Sequence, residues 1–180
     1  MRIMLLLALT VALAAPIAAF ADPTAPTPAS TATQTCKQEQ ANISATLFAQ
    51  TYAGSGPAAS AFGKCVSSHQ KSAQDQVANA AQSCKTQQAD PSFAAGHGGK
   101  TFDQYYGSNN SKGKGADSNA LGKCVSQAVS QSVSAQAKAD AGAAKTCKAA
   151  RASDAAAFAL KWGKGKNAFG KCVASTAKSK

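Results

Sequence analysis

The chain has 180 residues, six cysteines, and 19 Lys plus Arg against eight Asp plus Glu, which gives a formal net charge of +11. From position 22 onward it holds only three Leu, one Ile, six Val and six Phe, and no Met. Alanine buries little area, so this composition excludes a large hydrophobic core, and covalent cross-links must offset much of the conformational entropy lost on folding.

The first 21 residues are predicted to be an export signal. Residues 1–21 combine Arg2, an apolar run and the sequence Ala19-Phe20-Ala21 before Asp22, the pattern of a secretory signal peptide. The alternative is a membrane anchor, but the run is shorter than the ~20 residues that a spanning helix needs. Residues 22–33, rich in Pro, Thr and Ala, are expected to form an extended leader. No later segment is apolar enough to span a membrane.

One seven-residue motif, which we call the phrase, occurs three times in the chain. It reads AFGKCVS at 61–67, ALGKCVS at 120–126 and AFGKCVA at 168–174. A Cys-Lys pair precedes each copy, at 36–37, 84–85 and 147–148. Between the Cys-Lys pair and the phrase, each copy has a five-residue segment with an aromatic residue at both ends, which we call the aromatic step. The three segments are FAQTY at 48–52, FDQYY at 102–106 and FALKW at 158–162. These are predicted repeat units of about 34–68, 82–127 and 145–175 within a single domain, residues 34–180.

All six cysteines lie in the repeat: Cys36, Cys65, Cys84, Cys124, Cys147 and Cys172. An even number of cysteines in an exported chain predicts three structural disulfides. The rival interpretation is a metal site. The chain has no CxxC pair, and His69 and His97 are isolated in the sequence, so neither a metal site nor a cofactor is predicted.

Apolar residues at helical spacing predict one long helix from about 60 to 90 and another from about 118 to 153. Ser60, Ser118 (or Asn119) and Asn167 are suitable N-caps. If the helix that carries the first cysteine stops about six residues after it, the two cysteines of a copy stand level on antiparallel helices. That register favours pairs 36–65, 84–124 and 147–172, although six cysteines allow fifteen connectivities. The predicted fold is all-α, with long antiparallel helices joined by disulfide-closed corners.

Each aromatic step places two rings four residues apart, on one face of a helix. Those rings are expected to fill the corner beneath the disulfide. The alternative is a platform on which sugars or bases stack.

The sequence carries no catalytic motif. No GxSxG, HExxH or Walker-type loop is present, and every cysteine has a repeat partner. The acidic residues show no spacing typical of a carboxylate pair. His97 falls in a Gly-rich insertion and is expected to be a solvated loop residue. A non-catalytic protein is therefore predicted, with a secreted enzyme as the weakest alternative.

Positive charge is the one hint of a partner. Lysines beside the second cysteine and in two Gly-Lys loops are candidates for binding anionic polymers such as nucleic acid, cell-wall polyanions or acidic glycans. They are Lys64, Lys112, Lys114, Lys123, Lys164, Lys166 and Lys171. The alternative is that they only keep an alanine-rich surface soluble.

With its Cys-Lys pair, aromatic step and Gly-Lys-Cys-Val phrase, the unit resembles uncharacterised exported bacterial proteins in which such a unit recurs. Copy two departs from the pattern at Leu121, and the resemblance implies no activity. The expected protein is secreted, periplasmic or held in the cell envelope. We expect it to act by binding or as a structural component.

Overall fold

The computed structural model describes residues 25–54, 56–107 and 119–179, and those residues form eight α-helices and one short 3₁₀ helix. The helices are α1 (Pro28–Asn42), α2 (Ala45–Tyr52), α3 (Ala61–Ala89), α4 (Phe93–Gly96), α5 (Phe102–Tyr106), α6 (Ala120–Ser153), α7 (Ala155–Trp162) and α8 (Ala168–Lys178), with the 3₁₀ helix at Ala58–Ser60. The predicted all-α fold is confirmed. The predicted signal peptide, Lys112, Lys114 and the candidate N-cap Ser118 lie outside the described residues.

The long helices α1, α3 and α6 pack on one another, and α8 packs on α6. Disulfides join neighbouring antiparallel helices: Cys36 to Cys65, Cys84 to Cys124 and Cys147 to Cys172. The bridged Cα atoms are 5.9 to 6.0 Å apart. This is the pairing that the predicted register favoured.

Each corner forms because a helix stops shortly after its cysteine and a short helix crosses the gap. Helix α1 ends six residues after Cys36, and α6 ends six residues after Cys147. Side-chain caps then start the short helices: Ser44 accepts from the backbone N–H of Leu47, and Asp154 accepts from that of Ala157. A side chain that satisfies a free N–H of the first turn stabilises the new helix at that point.

The predicted N-caps of the following helices are correct in position. Ser60, Asn119 and Asn167 each immediately precede α3, α6 and α8, but their side chains make no capping hydrogen bond. These helix starts are held in place by the adjoining disulfide and by packing.

The predicted extended leader is wrong from Pro28 onward, because α1 begins there. Thr27 and Ser30 form a reciprocal capping box, and Pro28 occupies the first helical position, where its missing N–H costs nothing. Thr31 and Ala32 are then buried. The Pro and Thr residues that suggested an extended chain instead begin a helix.

The core consists of three small clusters, one at each corner. Phe48 packs beside the first disulfide, Phe93 and Phe102 beside the second, and Phe158 and Phe169 beside the third. The expectation that aromatic rings fill the corners is confirmed for the first ring of each step. Each disulfide is therefore buried against its own aromatic cluster.

The corners lie at opposite ends of the bundle. Helix α3 runs from the first corner to the second, and α6 runs from the second to the third, so the first and third corners meet at one end. There α2 packs on α8, and Arg151 donates to the Gln50 side chain at 3.0 Å. We call this the double-corner end. The second corner, which we call the single-corner end, is ~28 Å away, since nineteen residues of α3 separate its cysteines.

In the part of the chain that the structure describes, no helix combines the length and hydropathy that crossing a membrane requires.

Candidate functional site

Four polar side chains from four different helices meet inside the bundle near the double-corner end. They are Glu39 of α1, Tyr52 of α2, His69 of α3 and Asp140 of α6. Glu39 is 1% exposed and Asp140 is 7% exposed, so both carboxyl groups are withdrawn from water. We call these four residues the polar cluster.

The contacts of the polar cluster converge on the Nε2 atom of His69. Glu39 Oε1 is 2.9 Å from it, the hydroxyl oxygen of Tyr52 is 3.0 Å from it, and Asp140 Oδ2 is 3.9 Å from it. The Tyr52 hydroxyl donates a short hydrogen bond to Glu39 Oε2. One imidazole nitrogen therefore faces two carboxyl groups and a phenol.

Burial and mutual repulsion change the titration of the cluster. Burial, together with the charge of Glu39, raises the pKa of Asp140 to about 6 in spite of a hydrogen bond from Gln136. Burial by itself lowers the pKa of His69, but the contact with Glu39 and the charges of both carboxylates outweigh it and leave that pKa above its usual value. Burial and the neighbouring Glu39 raise the pKa of Tyr52 far above its usual range. Tyr52 therefore stays a hydrogen-bond donor.

The sequence does not reveal this cluster. His69 is isolated along the chain and the acidic residues show no pair spacing, whereas the fold brings Glu39 and Asp140 to the same imidazole. The helices lie far apart in sequence, and spacing within one segment cannot reveal such a meeting. One signal was present: each residue falls on the buried stripe of its own helix. Glu39 follows Cys36 by three residues, His69 follows Cys65 by four, and Asp140 follows Ala137 by three.

His97 is not the solvated loop residue that the sequence suggested. Its ring stacks on Phe93 with centroids 3.8 Å apart, and its Nδ1 atom is 2.7 Å from the Phe93 carbonyl oxygen. Helix α4, which precedes it, supplies that aromatic surface. His97 thus belongs to the packing of the second corner.

The candidate lysines are divided between the two ends of the bundle. Lys64, Lys164, Lys166 and Lys171 lie at the double-corner end, and Lys123 lies at the single-corner end beside Cys124. The Lys64 ammonium donates to the Ala53 carbonyl at 2.9 Å, which gives it a structural contact. The structure therefore does not unite the whole predicted set in one patch.

An open cavity of about 380 Å³ lies at the double-corner end, between α7 and α8. Trp162, Lys166, Asn167 and Lys171 contribute to its wall. Lys161 adds a further charge, because its ammonium lies 5.2 Å from the centre of the Trp162 ring. The cavity thus offers a half-buried aromatic face surrounded by cations.

The exposed surface is strongly basic across the described residues. Their fourteen lysines and Arg151 are all exposed or half-buried, whereas Glu39 and Asp140 are enclosed. Of the acids at the surface, Asp90 and Asp154 accept hydrogen bonds from backbone N–H groups at the corners. Burying two carboxyl groups leaves the outer surface more positive than the composition alone implies.

Comparisons with protein-family models, with curated proteins and with solved structures find no match for this chain.

Proposed function

We propose that the protein is exported and acts without catalysis, as a binding or structural component of the cell envelope or the extracellular space. The observation that carries the proposal is the closure of every corner by a buried disulfide, with no free cysteine among the described residues. Such disulfides persist in oxidising compartments. The apolar N-terminal run and the resemblance of the repeat unit to exported bacterial proteins support the same compartment.

Export is tested by expressing the full chain in a bacterium and sequencing the N-terminus of the accumulated protein. If residues 1–21 are removed on export, the accumulated protein begins at Asp22 and is recovered from the periplasm or the medium. A protein that keeps Met1 and remains in the cytosol contradicts the proposal.

A second candidate function, binding of an anionic polymer, is favoured by the cavity between α7 and α8. Lysines held around an aromatic face suit a polymer that carries both anionic groups and flat rings or sugars. Arg151, the one Arg after position 2, is engaged with Gln50 and Phe169. Lysines would therefore provide the binding charge, which favours general attraction over bidentate recognition.

The binding test compares two triple variants, each of which replaces three lysines by glutamine and so removes three positive charges. Lys164→Gln, Lys166→Gln and Lys171→Gln alter the double-corner end, whereas Lys71→Gln, Lys100→Gln and Lys138→Gln alter exposed lysines elsewhere. Retention on heparin and on double-stranded DNA is measured against a salt gradient. We expect the first variant to elute at clearly lower salt than the second. Equal elution of both, or elution of the unmodified protein below physiological salt, contradicts a specific site.

A further inference from the structure

The polar cluster brings a set of metal-binding atoms together that the proposed function does not use. Glu39, His69 and Asp140 each supply one ligand atom, and those atoms all lie within 4.8 Å of one another. The three residues come from α1, α3 and α6, the three longest helices of the fold. Only the folded bundle assembles this set.

The spacing of these atoms is close to that of a tetrahedral metal centre. Zinc bonds to imidazole nitrogen and carboxylate oxygen are about 2.0–2.2 Å long, so neighbouring ligands in a tetrahedral site are about 3.3–3.5 Å apart. The contacts of His69 Nε2 with Glu39 Oε1 and Asp140 Oδ2, 2.9 and 3.9 Å, lie on either side of that value. We propose that Glu39, His69 and Asp140 bind a divalent transition-metal ion.

A buried oxygen without a well-aligned hydrogen bond provides an independent reason. Glu39 Oε1 has almost no exposed surface and accepts no well-aligned hydrogen bond in the described part of the chain. Leaving a buried polar atom unsatisfied costs about 1–3 kcal/mol, and a charged one costs more. His69 Nε2 lies 2.9 Å away, but a single ring nitrogen cannot serve both carboxyl groups and Tyr52 at once. A cation between these atoms would satisfy that oxygen.

The charge of the cluster also suits a divalent ion. Two ionised carboxylates beside a neutral imidazole carry a charge of −2, and a single proton on His69 leaves −1 in a site removed from water. An uncompensated charge in such a place is costly. One divalent cation balances both carboxylates while the imidazole stays neutral, the form in which it ligates a metal.

Neighbouring side chains hold the ligands from outside. The Gln136 amide donates to Asp140 Oδ2 at 2.8 Å, and Tyr52 donates to Glu39 Oε2. Such outer contacts fix the orientation of metal-binding groups. The side chain of His69 is 12% exposed, against 2% for that of Glu39. An ion would therefore enter past the imidazole, and water would complete the coordination.

The donor set favours one class of ion. Imidazole suits Zn²⁺, Ni²⁺, Cu²⁺ and iron, whereas Mg²⁺ and Ca²⁺ are bound almost entirely by oxygen. One nitrogen with two carboxylates, and no free thiolate in the described residues, selects Zn²⁺ and its neighbours over Mg²⁺, Ca²⁺ and Cu⁺.

The first experiment titrates Zn²⁺ into the metal-free, disulfide-bonded protein and follows the ¹⁵N resonances of the imidazoles by NMR. The chain has two histidines, so His97 is an internal control. We expect one equivalent of Zn²⁺ to shift Nε2 of His69, to leave His97 unchanged, and to bind in the presence of millimolar Mg²⁺. Equal shifts at both histidines, or none at His69, would overturn the proposal.

The second experiment compares variants by calorimetric titration with Zn²⁺. Glu39→Gln and Asp140→Asn keep the size of the side chains, and Asp75→Asn removes an exposed carboxylate of α3 as the matched control. We expect the first two to weaken binding by on the order of 100-fold or more, since outer-contact residues alone account for about 10–100-fold, while the control keeps wild-type affinity.

A cluster variant that unfolds would also lose affinity for Zn²⁺. A third measurement therefore needs no variant: the visible spectrum of Co²⁺ bound to the unmodified protein is recorded. An intense tetrahedral spectrum abolished by one equivalent of Zn²⁺ supports the site, and a weak octahedral spectrum contradicts it.

Discussion

Gly170 of α8 lies directly against the backbone of Thr51 in α2. A Cβ atom placed on Gly170 would be 2.7 Å from the Thr51 carbonyl oxygen, closer than van der Waals contact allows. Gly63, which holds the same place in the first copy of the phrase, has nothing within 4 Å of such an atom. The same glycine of the repeated phrase therefore has different surroundings in the two copies, because the helix that carries the third copy of the phrase, α8, packs on α2, whereas no atom lies close to Gly63.

This contrast predicts opposite effects of one substitution at the two glycines. Gly63→Ala should raise the free energy of unfolding by about 0.5–1 kcal/mol, because alanine loses less backbone entropy in a helix. Gly170→Ala should lower it by about 1–3 kcal/mol, because α8 must move away from α2. Urea denaturation of the two variants beside the unmodified protein measures both. Equal stabilisation by the two substitutions would show that α8 does not approach α2 so closely.

Arg151 joins the first and third corners. Its guanidinium donates to Gln50 and lies 4.9 Å from the centre of the Phe169 ring. We expect Arg151→Ala to destabilise the protein by about 1 kcal/mol, the sum of a partly exposed hydrogen bond and a cation–π contact. Lys148→Ala, an exposed position one turn earlier on α6, is the control and should change stability by less than about 0.5 kcal/mol. Similar losses for both would argue against the bridge.

Reduction of the disulfides should unfold the protein. Three bridges at about 2–4 kcal/mol each are comparable with the whole stability of a typical domain, about 5–15 kcal/mol, and the three core clusters are small. Helical circular dichroism and thermal melting are measured with and without excess reductant. We expect the cooperative transition to disappear on reduction. An unchanged melting curve, with reduction verified by thiol counting, would show that packing alone maintains the fold.

The polar cluster predicts that the metal-free protein loses stability as the pH rises. The pKa of Asp140 is raised from 3.8 to about 6, so the folded state binds a proton more tightly than the unfolded chain. The resulting contribution to the free energy of unfolding is lost as the pH rises through about 6. His69 acts in the same direction. Its contribution is complete below its usual pKa of 6.5 and is lost as the pH rises through the higher pKa of the folded state.

Thermal melting in chelator at pH 5 and at pH 7.5 measures this effect. A loss on the order of 1 kcal/mol lowers Tm by about 2–4 °C for a chain of this size. Asp140→Asn removes the carboxyl contribution and should reduce the difference between the two pH values. A Tm that rises between pH 5 and 7.5 in the unmodified protein would mean that the carboxylates are paired differently.

Much of the architecture was predictable from the spacing of a few residues. The distance from Cys36 to Ser44, or from Cys147 to Asp154, sets where one helix ends and the next begins, because a capping side chain acts on the N–H groups of its own turn. Such effects are local, and the three copies repeat them. The helical start at Pro28 is also encoded locally, because the capping pair of Thr27 and Ser30 starts a helix in spite of the high proline content.

The sequence by itself determined an all-α chain, its corners and the cysteine register, since capping and helix periodicity act within one or two turns. Only the tertiary structure decided that the first and third corners meet, that the candidate lysines are divided between two ends, and that Glu39, His69 and Asp140 share one interior space. Those relationships join residues 30 to 101 positions apart in sequence. They depend on how three helices pack side by side, which no pattern within a single helix records.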